Sequence, residues 1–90
     1  MIRTFRSKPL RRFFETGDAA RLSVPNIGRI VRIIRALDAA TKPDDMNLPG
    51  FHFHGLEGSA RWSVRVTGNR RLTFGWNGTD AVDVDLEDYH

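Results

Sequence analysis

Three stretches in the last third of the chain alternate apolar and polar residues with the period of two that marks a strand buried on one face. Trp62, Val64 and Val66 alternate with Arg61, Ser63, Arg65 and Thr67; Leu72, Phe74 and Trp76 with Arg71, Thr73 and Gly75; Val82, Val84 and Leu86 with Asp83 and Asp85. One face of these segments is therefore a core and the other is wet. Parity constrains the turns, because a slip of one residue would turn every side chain to the wrong face. Val66 opposite Leu72 leaves Gly68-Asn69-Arg70 as a turn, and Phe74 opposite Val84 leaves Gly78-Thr79-Asp80, giving a three-strand antiparallel meander. In that register the wet face carries one row of Arg65, Thr73 and Asp85 and a second of Thr67, Arg71 and Glu87. Asp88-Tyr89-His90 emerges beside the turn that holds Arg70 and Arg71.

Earlier in the chain the period changes. Residues 2–5 read as a short first strand with Arg3 facing out. Pro9 suits the first turn of a helix whose apolar stripe is Leu10, Phe13 and Phe14, and Gly17 ends it. The strongest helical signal follows: Ile27, Ile30, Val31, Ile34 and Leu37 share one face, with Arg29, Arg32 and Arg35 fanned over the other. Pro25 suits the first turn of this helix, and Ser23 is a candidate cap. Residues 41–50 form an irregular connection with one helical turn at 44–46. Residues 51–56 return as a strand, His52 and His54 on one side, with Gly55 marking a bulge. The pattern predicts an α+β fold, two N-terminal helices packed on a mainly antiparallel sheet of about four to five strands, in one domain over residues 1–90.

Composition narrows the chemistry. No cysteine is present, so thiolate nucleophiles, disulfides and Cys-ligated zinc are excluded. Three histidines without a His-x-x-x-His pair predict no metal and no cofactor site. No Gly-rich phosphate loop or Gly-x-Ser-x-Gly elbow occurs, and no apolar run suits a bilayer crossing, so a soluble cytoplasmic protein without membrane association is expected. The formal charge is +3, but twelve arginines stand against two lysines. Residues 1–36 hold nine basic and two acidic side chains, whereas residues 77–90 hold five acids and no Lys or Arg. Arginine suits bidentate phosphate contacts, so a polyanionic partner fits this bias as well as a solvated helical face does.

The order of short motifs carries more. Asp38-Ala39-Ala40-Thr41, Asp45-Met46-Asn47-Leu48-Pro49-Gly50, His54-Gly55-Leu56, Trp62-Ser63-Val64, Gly68-Asn69, Arg71-Leu72-Thr73-Phe74, Asp83-Val84-Asp85 and the final Asp88-Tyr89-His90 together resemble the HigB toxins of the RelE superfamily. The resemblance spans nearly the whole chain. It implies a RelE-like microbial RNase-type fold and a type II toxin that cleaves mRNA in the ribosomal A site. It also implies a HigA-like helix-turn-helix antitoxin as partner, with operator DNA contacted only through that antitoxin.

The same resemblance maps the active site onto His54, Arg71, Asp88, Tyr89 and His90. In such a site a base takes the ribose 2′-hydroxyl proton and an acid protonates the leaving 5′-oxygen. His54 and His90 supply those roles in either order. Arg71 would stabilise transition-state charge, Tyr89 would stack on a base or bond a phosphate, and Asp88 would orient an imidazole. Arg65, Arg70, Arg29, Arg32 and Arg35 are expected to contact RNA or ribosome. Two departures stand out: Glu57 where these toxins commonly carry lysine, and Arg70 where tryptophan is frequent. An alternative reading is therefore a RelE-like binding protein weakened in cleavage. In a purely structural reading, Arg71 and Glu87 form an ordinary surface pair.

Overall fold

Local capping sets the two helices before any packing does. The computed structural model describes residues 1–22 and 24–88. In the first helix, α1 (Lys8–Thr16), the Ser7 side chain accepts from the Leu10 backbone N–H at 3.2 Å, and Pro9 occupies a first-turn position that needs no donor. Gly17 closes it at φ 78°, its N–H donating to the Phe13 carbonyl. The second helix, α2 (Ile27–Ala39), is capped by Asn26, whose side chain accepts from the Arg29 N–H at 3.0 Å. The helix thus starts after Pro25, and Ser23 lies outside the described residues. Its buried stripe is Ile30, Ile33, Ile34 and Leu37. Ile33, not Val31 or Ile27, completes the stripe, because i, i+3, i+4, i+7 centres the buried arc one residue further round.

The helical turn expected at 44–46 is a 3-10 turn over Pro43–Met46, and Met46 is fully buried. Asp45 holds the preceding bend by accepting from the Thr41 N–H at 2.9 Å and its hydroxyl at 3.0 Å. These bonds hold its carboxyl below the usual 3.8. The Arg12 guanidinium does the same for Asp18, and Arg3 for Asp80. A carboxyl depressed in the folded state stabilises it above the unfolded pKa and stops doing so as pH falls through the folded one. Tm should therefore drop as pH is lowered below about 4. Asp45→Asn should lower Tm at neutral pH and flatten that acid limb, as followed by circular dichroism; an unchanged acid limb would remove Asp45 from this account.

The sheet runs β1 (His54–Leu56), β2 (Arg61–Arg65), β3 (Arg70–Trp76) and β4 (Ala81–Asp88), antiparallel and in that spatial order. The N-terminal segment lies parallel along β4 through isolated bridges, Ile2 to Ala81 and Phe5 to Val84, and covers that edge. The helices and the apolar sheet face share one core that includes Leu10, Ile30, Ile33, Leu37, Val64, Leu72, Phe74 and Val84. Phe74 is central: Trp62 stacks on it at 6.0 Å between ring centroids and Trp76 meets it edge-on at 6.5 Å.

Three details depart from the pattern-based expectation. Val64, not Val66, faces Leu72, a shift of two residues. The wider loop is closed by its own groups: the Val66 and Thr67 N–H groups both donate to the Arg70 carbonyl, and the Thr67 hydroxyl accepts from the Arg70 N–H. An even shift keeps the faces but re-pairs the wet side, so Ser63 now faces Thr73 and Arg65 faces Arg71. On β4, Thr73 faces Asp85 and Arg71 faces Glu87 as expected, but the register slips before Gly75, which faces Val82. Asp83, at φ 52°, absorbs the extra residue, so Ala81 enters the core in place of Val82. Finally, His52 at φ 50° breaks the expected strand at 51–56, leaving only β1, and Gly55 pairs regularly with Trp62 instead of forming a bulge.

Candidate active site

On the face turned away from the helices, the pairings align His54, Ser63, Thr73 and Asp85 as one row across all four strands, with Arg65, Arg71 and Glu87 as the next. Ser63 and Thr73 are buried, at 0% and 3% exposure, although no helix covers this face. Buried hydroxyls need partners. The Ser63 Oγ lies 3.4 Å from His54 Nε2 and 3.4 Å from Arg71 Nη1. The Thr73 hydroxyl accepts from Arg61 Nη2 at 2.9 Å and donates to Glu87 Oε2 at 2.5 Å. The same Arg61 Nη2 donates to the Asp83 carbonyl at 2.8 Å, so the β4 bulge helps to aim this guanidinium. Burial, and then repulsion from Arg6, push the Arg61 pKa down, while Glu87, Asp83 and Asp85 oppose the shift.

Arg65 and Arg71 stand directly opposite each other. Like charges in that position repel, and Glu87, opposite Arg71 on its other side, offsets part of the repulsion. An anion laid across the two guanidinium groups would offset more. The face thus gathers an imidazole, paired guanidiniums and a carboxylate, held from below by buried hydroxyls. That combination suits proton transfer beside a phosphodiester.

The family model described as RelE-like toxin of type II toxin-antitoxin system HigB matches residues 3–90. Endoribonuclease HigB of Proteus vulgaris is 34% identical, over the full length of both chains. The chain belongs to the HigB-like toxin family. Membership in a type II toxin family implies an antitoxin partner. The α+β architecture, helices first and antiparallel sheet after, agrees with this assignment.

The HigB-like motif residues are not all brought together. His54 and Arg71 meet through Ser63. Asp88 instead lies on the side of the sheet that carries Leu72 and Leu86, where its Oδ1 is 3.0 Å from Arg70 Nε. Alternation explains this: Asp88 and Arg70 share the parity of the core positions, so of the two arginines expected beside it Asp88 meets Arg70. Tyr89 and His90 lie outside the described residues.

Among the arginines of α2, Arg29 is no outward fan blade in this toxin. Its Nη2 donates to the Gly50 carbonyl at 2.6 Å and to the Arg65 carbonyl at 2.8 Å, and its Nε reaches the latter at 3.2 Å. With Arg32 it also flanks the buried Phe51 ring, at 5.8 and 5.9 Å. Arg29 therefore fixes the loop that leads into His54 to the end of β2. Arg35 borders a cavity of about 240 Å³ between the helices, with Phe13, Phe14, Val31 and Ile34. Among the described residues, no group of three or more His, Asp or Glu is placed to hold a metal ion, and no helix is long and apolar enough to cross a membrane.

The sequence reading missed Ser63, Arg61 and Glu87 as members of the site. The available signal was the pairing arithmetic. Moving the β2–β3 register by two residues puts Ser63 opposite Thr73 and beside Arg71, but the hydrogen bonds that close the loop on Arg70 tell the two registers apart.

Proposed function

We propose that this HigB-like toxin is a ribosome-dependent endoribonuclease that cuts mRNA in the ribosomal A site by internal attack of a ribose 2′-hydroxyl on the adjacent phosphate. The observation that carries the reading is the open-face cluster in which His54 and Arg71 flank one buried hydroxyl. The relative's name, an endoribonuclease, supports the reaction class.

In the proposed step one imidazole removes the 2′-hydroxyl proton, the 2′-oxygen bonds to phosphorus, and the 5′-oxygen leaves with a proton from the second imidazole. His54 and His90 fill these roles in either order, so the step uses no metal. Arg71, aided by Arg65, meets the charge that builds on the phosphoryl oxygens. Tyr89 stacks on a base or bonds a phosphate oxygen. Asp88, which engages Arg70 at 3.0 Å, orients an imidazole of the site. Arg32 and Arg35, both exposed on α2, are available to ribosomal RNA. Arg29 acts as a brace for the His54 loop.

An open sheet face leaves substrate positioning to a larger partner, and the ribosome supplies it by presenting mRNA in a fixed geometry. The proposed antitoxin is a HigA-like helix-turn-helix protein that neutralises the toxin and carries it to operator DNA. The proposed site of action is the cytoplasm, where the ribosomes are.

Primer extension on a defined mRNA programmed into ribosomes tests this. Wild type should yield discrete A-site cuts, and His54→Ala and His90→Ala should yield few or none. Absence of wild-type cleavage with ribosome binding retained would favour the binding-protein reading. Glu57, exposed on the turn that follows β1, would then be the first residue to revert, as Glu57→Lys.

A further inference from the structure

The Ser63 hydroxyl is buried completely on a face that carries no helix, and it touches both groups on which the proposed chemistry depends. Its contacts have a direction. Arg71 Nη1 is a donor only, so Ser63 Oγ accepts from it. The hydroxyl keeps one proton to give and one further lone pair, so the role of His54 Nε2, 3.4 Å away, is set from the other side of the ring. There the His52 carbonyl, 3.3 Å from Nδ1, can only accept, so the neutral ring bears its proton on Nδ1 and Nε2 is left to accept from the Ser63 hydroxyl. The left-handed His52, at φ 50°, belongs to the same device, because its carbonyl is the acceptor at the end of the chain. The relay runs one way, from Arg71 through Ser63 and His54 to the His52 carbonyl.

We infer that Ser63 is a positioning residue of this toxin: it selects the Nδ1–H tautomer of His54 and fixes the spacing between that ring and the Arg71 guanidinium. This rests on the nuclease reading for its consequence, though not for its geometry. Thr73, next in the row, is the natural comparison, since its hydroxyl serves Arg61 and Glu87 and is bonded to neither His54 nor Arg71.

The test uses the full chain with 15N-labelled histidine, observed by NMR on the alkaline plateau where the His54 nitrogen shifts stop changing with pH. His54 resonances are assigned by their loss in His54→Gln. Wild type should show His54 mainly as the Nδ1–H tautomer. Ser63→Ala should move it toward Nε2–H, the form free histidine prefers, while Thr73→Val should leave it in place. In the ribosome assay Ser63→Ala should lower the single-turnover rate roughly tenfold to a hundredfold with the half-saturating toxin concentration unchanged, the scale of a small misplacement of a reacting group.

An unchanged tautomer in Ser63→Ala overturns the inference, as does an equal shift in Thr73→Val, which would mark a general loosening of the sheet. A shifted tautomer with an unchanged rate overturns the positioning role. A wild type that cuts no RNA refutes the nuclease reading instead, and the tautomer measurement still decides whether Ser63 orients His54.

Discussion

Arg71→Ala should lower the single-turnover rate of RNA cleavage by about 10²–10³-fold, the range seen when one preorganised donor to a charged transition state is removed. Arg71→Lys should recover little of it. A guanidinium presents a rigid planar fork, whereas an ammonium on a flexible stem gives neither that geometry nor the bond to Ser63 Oγ at 3.4 Å. Stability should change little, because Arg71 is half-buried on the wet face and its cross-strand neighbours are Arg65 and Glu87. Removing one of two facing guanidiniums also relieves their repulsion. If the Arg71–Glu87 pair were merely structural, both Arg71→Ala and Glu87→Gln would change stability by less than about 1 kcal/mol and leave cleavage intact. Comparing single-turnover rates and urea midpoints for the two variants separates these accounts. An Arg71→Ala enzyme that cuts at the wild-type rate would remove this residue from the chemistry.

The fold was legible because its signals are local. The alternation around Phe74, the stripe from Ile30 to Leu37, and Gly17 at the end of α1 each follow from neighbours a few residues away. The motif order from Asp38 to His90 resembled HigB toxins, and the family match bears that out. What the sequence hid depends on non-local fits. Choosing Val64 over Val66 opposite Leu72 turns on hydrogen bonds inside the 66–69 loop, since both choices bury the same faces. The bulge at Asp83 carries no glycine to announce it, and it moves Val82 out of the core and Ala81 in. Arg29 matched the helical spacing of an outward face. Its reach to the Gly50 and Arg65 carbonyls depends on segments 21 and 36 residues later in the chain that no periodicity describes. The site inherits these errors: with the wrong register Ser63 loses Arg71 as a neighbour, and with the right one it has both Arg71 and His54.

Phe74→Ala should cost about 3–5 kcal/mol, the usual range for emptying a fully buried aromatic position. Phe74 is 0% exposed, and Trp62 and Trp76 pack on either side of it, so collapse into the vacated space would require both indoles to leave their places in the sheet. Small domains have only about 5–15 kcal/mol in total, so this one change removes about a fifth or more of the stability. For a domain of this size the melting temperature should fall by about 15–30 °C. The two flanking tryptophans report the change directly through fluorescence in a urea titration. Leu48→Ala, at a side chain 42% exposed, should change stability by no more than about 0.5 kcal/mol and serves as the comparison. Loss of activity should follow loss of stability closely, because the residues on either side of Phe74 belong to the open face. Thr73 carries the hydroxyl between Arg61 and Glu87, and Gly75 lies beside the bulge that aims Arg61. A Phe74→Ala protein less than about 1 kcal/mol weaker than wild type would mean that the core is not assembled around this ring, and that the rigidity of the His54–Ser63–Arg71 cluster comes from elsewhere in the sheet.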